Sequence, residues 1–79
     1  MKQIDYLITE PEGLHALPAT ALVEKLNKLD CQIIASLKGN AVDAKSMFGL
    51  MSLNAHFGDK ISFMANGKDE DYLASVLKR

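Results

Sequence analysis

Cysteine is almost missing from this chain: Cys31 is the only one. A disulfide framework is therefore excluded, and a thiol-based metal site is not expected. The sparse cysteine fits a reducing compartment. Long apolar runs are missing too. None approaches the roughly 20 residues that span a bilayer, and Met1-Lys2-Gln3-Ile4-Asp5 offers no apolar stretch of secretory-signal length. The expectation is a cytoplasmic chain with no membrane insertion. An excess of charge of one sign is also lacking. Nine basic and ten acidic residues leave a formal charge of −1, which argues against nucleic acid or an acidic membrane surface as the main partner. Repeats, linkers and low-complexity segments are absent. The 79 residues make one domain, 1–79. A chain this short buries only about 60% of its unfolded surface, too little to house a deep active site with several catalytic groups. A hydrophobic content of 48% nevertheless places it among globular chains.

The hydrophobic periodicity alternates between two signals. Ile4, Tyr6 and Ile8 alternate with Gln3, Asp5 and Leu7, which is strand spacing with one face inward. Thr9 to Gly13 breaks that strand. Ala19, Leu22, Val23 and Leu26 then recur at helical spacing and predict a helix over about 16–28. Cys31, Ile33, Ala35 and Leu37 form a second strand, Gly39-Asn40 a hairpin turn, and Val42 and Ala44 a third strand. Ser46 opens a short helix as its N-cap, and Asn54 ends it in a left-handed conformation. Ile61, Phe63 and Ala65 face inward from a fourth strand. After the Asn66-Gly67 turn, Asp69, Glu70 and Asp71 begin a last helix with Leu73, Val76 and Leu77 buried and Lys78 and Arg79 at its end. The order is βαββαβα. One apolar face per strand and one stripe per helix imply two layers, a sheet covered on one side by helices. The order of strands within the sheet does not follow from this pattern.

Gly13-Leu14-His15-Ala16-Leu17-Pro18-Ala19 carries the chemistry. His15 stands at a helix entrance, and Pro18 lies in the first turn, where no intrahelical bond is lost. The free N–H groups of Ala16 and Leu17 and the helix dipole make an anion site beside a nucleophilic imidazole. A ring nitrogen can attack phosphorus there, and the backbone donors can hold the phosphoryl group. From spacing alone, His15 reads first as a helix-capping or surface histidine. His56 reads as a surface loop residue, Cys31 as a small packing residue, and Tyr6 and Tyr72 as packing residues of sheet and helix.

Gly13-Leu14-His15-Ala16-x-Pro18-Ala19-Thr20 resembles the phosphorylation-site motif of the HPr family, the histidine phosphocarriers of the bacterial phosphoenolpyruvate-dependent sugar phosphotransferase system. Lys45-Ser46-Met47-Phe48-Gly49-Leu50-Met51-Ser52-Leu53 is similar to the family's second motif, with its regulatory serine. Gly58-Asp59-Lys60-Ile61 and Gly67-Lys68-Asp69-Glu70 match later landmarks, so the resemblance runs over almost the whole chain. It implies an α+β open-faced sandwich, a four-stranded antiparallel sheet in the order 1-4-2-3 with three helices on one face. It implies a stoichiometric carrier rather than an enzyme, without cofactor or metal. By resemblance, His15 takes a phosphoryl group on Nδ1 from enzyme I and passes it to sugar-specific IIA components. Ser46 is the implied target of a serine kinase/phosphorylase, with a transcriptional regulator as the reader of catabolite repression. Met47, Phe48 and Met51 are the implied docking patch. The chain departs from the family at Leu17, where an arginine is usual, and its last helix is shorter. Leucine supplies no charge-assisted contact to a phosphoryl group, and Glu10 and Glu12 add nearby negative charge. An alternative is thus an HPr-like regulatory binding module with impaired phosphotransfer that acts through Ser46. A third is a scaffold domain that uses neither phosphosite.

Overall fold

The computed structural model describes residues 1–78. Four strands, β1 (Lys2–Leu7), β2 (Gln32–Leu37), β3 (Asn40–Asp43) and β4 (Lys60–Asn66), form one sheet in the order β1-β4-β2-β3. Every neighbouring pair is antiparallel. The helices are α1 (Ala16–Leu26), α2 (Met47–Ser52) and α3 (Leu73–Leu77), with a 3-10 turn over Glu70–Tyr72 leading into α3. The order βαββαβα and the four-stranded antiparallel sheet with three helices are those expected.

Strand register explains the two faces. Ile4, Phe63, Ala35 and Val42 lie side by side across the sheet and point toward the helices. The next row, Gln3, Met64, Ile34 and Asp43, points the other way. Gln3 Nε2 donates to Ser62 Oγ at 2.9 Å on that open face. The core is built on fully buried Ile8, Leu26, Ile33, Leu50, Ile61, Phe63 and Leu73. The Tyr6 ring meets Phe63 edge-on with centroids 5.8 Å apart, a contact worth about 0.5–1.5 kcal/mol beyond area burial.

Several local expectations are corrected. Helix α1 ends at Leu26, two residues early, because Asn27 donates both of its Nδ2 protons, to Val23 O at 2.9 Å and to Lys45 O at 3.1 Å. The β2–β3 turn is Lys38-Gly39, not Gly39-Asn40. Both have positive φ, 51° and 85°, as a type I′ hairpin requires. Tyr72 is exposed rather than packed. The helix end assigned to Lys78 and Arg79 is only partly visible: Lys78 is the extended C-cap residue, and Arg79 lies outside the described residues.

Candidate functional site

The loop between β1 and α1 is held from below. Ile8 N–H donates to Asp59 O at 2.8 Å, and Gly58 N–H to Ile8 O at 2.9 Å. Gly13 follows at φ 81°, where a Cβ would lie 2.4 Å from Ala55 O, so only glycine fits this approach. Leu14 N–H donates to the same Ala55 O at 3.0 Å, and the Leu14 side chain is buried. These contacts leave His15 on a fixed backbone at the mouth of α1.

His15 is the N-cap residue of α1, with extended backbone. Its carbonyl accepts the first intrahelical bond, from Ala19 N–H at 3.0 Å. The N–H groups of Ala16 and Leu17 precede that bond, and Pro18 has none to give. No acidic residue occupies the first turn to neutralise the positive helix end. The imidazole makes no capping hydrogen bond. It is 42% exposed, and its Nε2 lies 3.3 Å from Glu12 Oε2, whose side chain is 75% exposed. The other acidic neighbour in sequence, Glu10, lines a hollow with Pro18, Leu22, Lys25 and Lys78.

Ser46 is the N-cap of α2, half-buried, and its Oγ accepts from Gly49 N–H at 3.1 Å. The helix ends at Ser52 with Leu53 as its C-cap, followed by Asn54 at φ 53°. Phe48 is 81% exposed and Met51 is exposed to a smaller extent. Met47, implied as a third member of an exposed patch, is half-buried and packs on the core. The meeting of α1 and α2 explains this. The Thr20 hydroxyl lies 2.7 Å from Ala16 O and 3.0 Å from Met47 Sδ. Its single proton favours the carbonyl, and the sulfur packs against it between α1 and α2. Leu17, singled out in the sequence for its missing cation, is 78% exposed, and pattern reading did not single out a further exposed apolar residue, Phe57. Phe57 follows Ala55 and His56, the backbone against which Gly13 is seated.

Among the described residues, no group of three or more His, Cys, Asp or Glu could hold a metal ion, and no helix is long and apolar enough to cross a membrane. Cys31 is a free, half-buried thiol whose pKa is raised, chiefly by desolvation.

Residues 2–79 match the family model described as PTS HPr component phosphorylation site. The fold superposes on HPr-C-His from Thermoanaerobacter tengcongensis with a TM-score of 0.91 at 35% identity, covering 98% of this chain and 86% of that one. It also resembles the phosphocarrier protein HPr of Bacillus anthracis (TM-score 0.87, 30% identity, 96% and 90% covered). The catabolite repression containing protein Crh of Bacillus subtilis, a swapped dimer, is similar at a TM-score of 0.72 and 32% identity, with 98% and 93% covered. With the family match spanning all but the first residue, and the open-faced sandwich in place, this chain belongs to the HPr family of the phosphotransferase system, whose members are phosphocarriers rather than catalytic enzymes.

Proposed function

We propose that this chain carries a phosphoryl group on His15, received from enzyme I and delivered to sugar-specific IIA components in the cytoplasm. The observation that carries this reading is an N-cap histidine whose ring is exposed and makes no capping hydrogen bond, beside the N–H groups of Ala16 and Leu17. A neutral imidazole offers a lone pair to phosphorus. The new phosphoryl oxygens then meet the two backbone donors and the helix end, equivalent to about half a positive charge. Phe48 and Met51, with Leu17 and the edge of Met47, form the docking surface for the partner proteins. Methionine side chains adapt to more than one partner.

The test is incubation with radiolabelled phosphoenolpyruvate and purified enzyme I. The expected product is acid-labile, as a phosphoimidazole is, and His15→Ala removes it. Absence of acid-labile label with several enzyme I sources overturns the carrier reading.

A second reading is favoured by Ser46. A phosphate there would sit at a helix N-terminus, where negative charge is tolerated, so modification leaves the fold intact. Leu17, which provides no cation, adds weight to a chain that works as a regulatory module. Crh, a relative tied by name to catabolite repression, shares 32% identity with this chain. In this reading a serine kinase/phosphorylase modifies Ser46 and a transcriptional regulator binds the product. Label on Ser46 from ATP and that kinase, with none on His15, selects it.

A further inference from the structure

The only charged side chain within ion-pair distance of His15 among the described residues is Glu12. Its Oε2 lies 3.3 Å from Nε2, the ring nitrogen that the carrier reading leaves unphosphorylated. Leu17 supplies no charge on the helix side. The backbone around the pair is pinned: Gly13 N–H donates to Glu10 O at 2.9 Å, His15 N–H to Gly13 O at 3.1 Å, and Leu14 N–H to Ala55 O. Three residues of separation in a fixed loop thus set a carboxylate against one nitrogen of the ring and leave the other nitrogen to react.

We propose that Glu12 is a positioning residue for phosphotransfer, holding the neutral His15 ring as the Nε2–H tautomer and stabilising the imidazolium that forms when Nδ1 attacks phosphorus. The inference rests on the carrier reading above. Which nitrogen of a neutral imidazole carries the proton is set by the partner of the other. An acceptor at Nε2 keeps the proton there and leaves the lone pair on Nδ1. In the transfer step that lone pair forms the N–P bond while the donor's bond to phosphorus breaks, its electron pair staying on the donor's leaving atom. No proton has to move. The ring is uncharged before the attack and positive after it, with the proton still on Nε2 facing the carboxylate. A buried aspartate supports the histidine of the serine-protease triad by the same logic.

Glu12 also repels the incoming phosphoryl group. That group, however, joins Nδ1 on the other side of the ring, so its charge is farther from the carboxylate than the imidazolium charge is. Coulomb energy falls with distance, and the negative charge in flight is spread over three equatorial oxygens. Attraction to the ring therefore outweighs repulsion of the phosphoryl group. Glu12 is exposed and the His15 ring partly so, so the effect on rate is modest, about 1.5-fold to fivefold.

Two variants separate acceptor from charge. Glu12→Gln keeps an oxygen for Nε2–H and loses the charge; Glu12→Ala loses both. The full-length 15N-labelled proteins are compared by two-bond 1H–15N correlation of the ring nitrogens at a pH where the imidazole is neutral, with His15→Ala used to tell His15 from His56. Labelling rates from phosphoenolpyruvate and enzyme I are measured in parallel. The wild type is expected in the Nε2–H form. Glu12→Gln is expected to retain that form and to label about 1.5-fold to fivefold more slowly. Glu12→Ala is expected to become a tautomer mixture and to be at least as slow. An unchanged tautomer population in Glu12→Ala overturns the positioning role, and faster labelling of Glu12→Ala shows that repulsion dominates and overturns the electrostatic one. If the wild type takes no label, the carrier reading fails by itself, and the ring-nitrogen comparison still decides whether Glu12 sets the tautomer.

Discussion

Two helix N-termini of this small protein use the same backbone position in opposite ways. At α2, the N-cap Ser46 turns its hydroxyl inward and satisfies the orphan N–H of Gly49. At α1, the N-cap His15 makes no such bond, and its ring stands beside Glu12 at the surface. A cap whose side chain serves the helix contributes stability, about 1 kcal/mol for serine. A cap whose side chain does not serve the helix leaves two things available together, a side chain and unpaired donors. The 3-10 turn that opens α3 gives a third variant. Its N-cap Asp69 makes no cap bond but accepts from Asp30 N–H at 2.7 Å, so its carboxylate ties one loop to another. Of the three helix starts, only that of α1 pairs a histidine with uncapped donors.

The largest expected change comes from sharpening the α1 site. Leu17→Arg adds a cation beside the uncapped donors. A charge-assisted contact of about 1.5–3 kcal/mol, realised in the transition state, speeds acceptance by one to two powers of ten. Because Leu17 is exposed, thermal stability stays the same. Stopped-flow transfer with cognate and foreign enzyme I measures it, and no acceleration with either means that the missing cation is not limiting.

Next in size is Phe48→Ala. An exposed aromatic that anchors a partner costs about 2 kcal/mol or more of binding when truncated, while folding changes little because the ring is outside the core. Calorimetric titration with enzyme I and a thermal melt read the two quantities separately. Equal losses in both would mean that Phe48 serves the fold.

The two caps are compared directly by a pair of alanines. Ser46→Ala loses the bond to Gly49 and about 1 kcal/mol, a fall in Tm of about 4–8 °C. His15→Ala has no cap bond to lose, and its Tm stays close to that of the wild type. A matching fall in both variants would erase the distinction drawn above. Ser46→Asp keeps a capping oxygen and folds at least as well. Its added charge near the docking surface slows labelling of His15, and an unchanged rate would remove the antagonism between the two sites.

The smallest effect belongs to the third helix start. Glu70 pairs with the N-terminal ammonium and accepts from Gly67 N–H at 3.1 Å. These bonds, the ammonium first, lower its pKa below the ordinary carboxylate value. A depressed folded-state pKa contributes stability above the unfolded value, and that contribution is lost as pH falls through the lowered folded value. Glu70→Gln is therefore slightly less stable than the wild type at neutral pH, and the difference closes in acid. Parallel denaturation curves across that range check it.

Much of this was readable from local chemistry. Alternation in Ile33, Ala35 and Leu37, and the helical spacing of Ala19, Leu22 and Leu26, specify faces because side-chain direction repeats every two residues or every 3.6. Ser46 and Asn54 mark helix ends through bonds and φ values that lie within a few residues. The fourfold strand count, the inward faces and the place of His15 at a helix mouth belong to this class. The misreadings were long-range in cause. Met47 lies on the same short helix as Phe48, and its packing on the core, beside Thr20 of α1, depends on how α1 and α2 meet. Helix α1 stops at Leu26 because Asn27 reaches Lys45, 18 residues away. The hairpin is the local exception: Leu37 pairs with Asn40, which leaves Lys38 and Gly39, both at positive φ, as the two turn residues.

By itself, then, the sequence determined the elements, their buried faces and the candidate nucleophile, because each depends on neighbours within a turn or a strand. The tertiary structure decided three other things: the strand order β1-β4-β2-β3, which periodicity left open and only the family resemblance implied, the seating of Gly13 on Ala55, and the placement of Glu12 against Nε2 of His15. The physical reason is that these depend on which distant surfaces meet. Periodicity states which face of an element is apolar, but not which other element will cover it, and the loop that holds His15 takes its shape from a carbonyl 42 residues beyond Gly13.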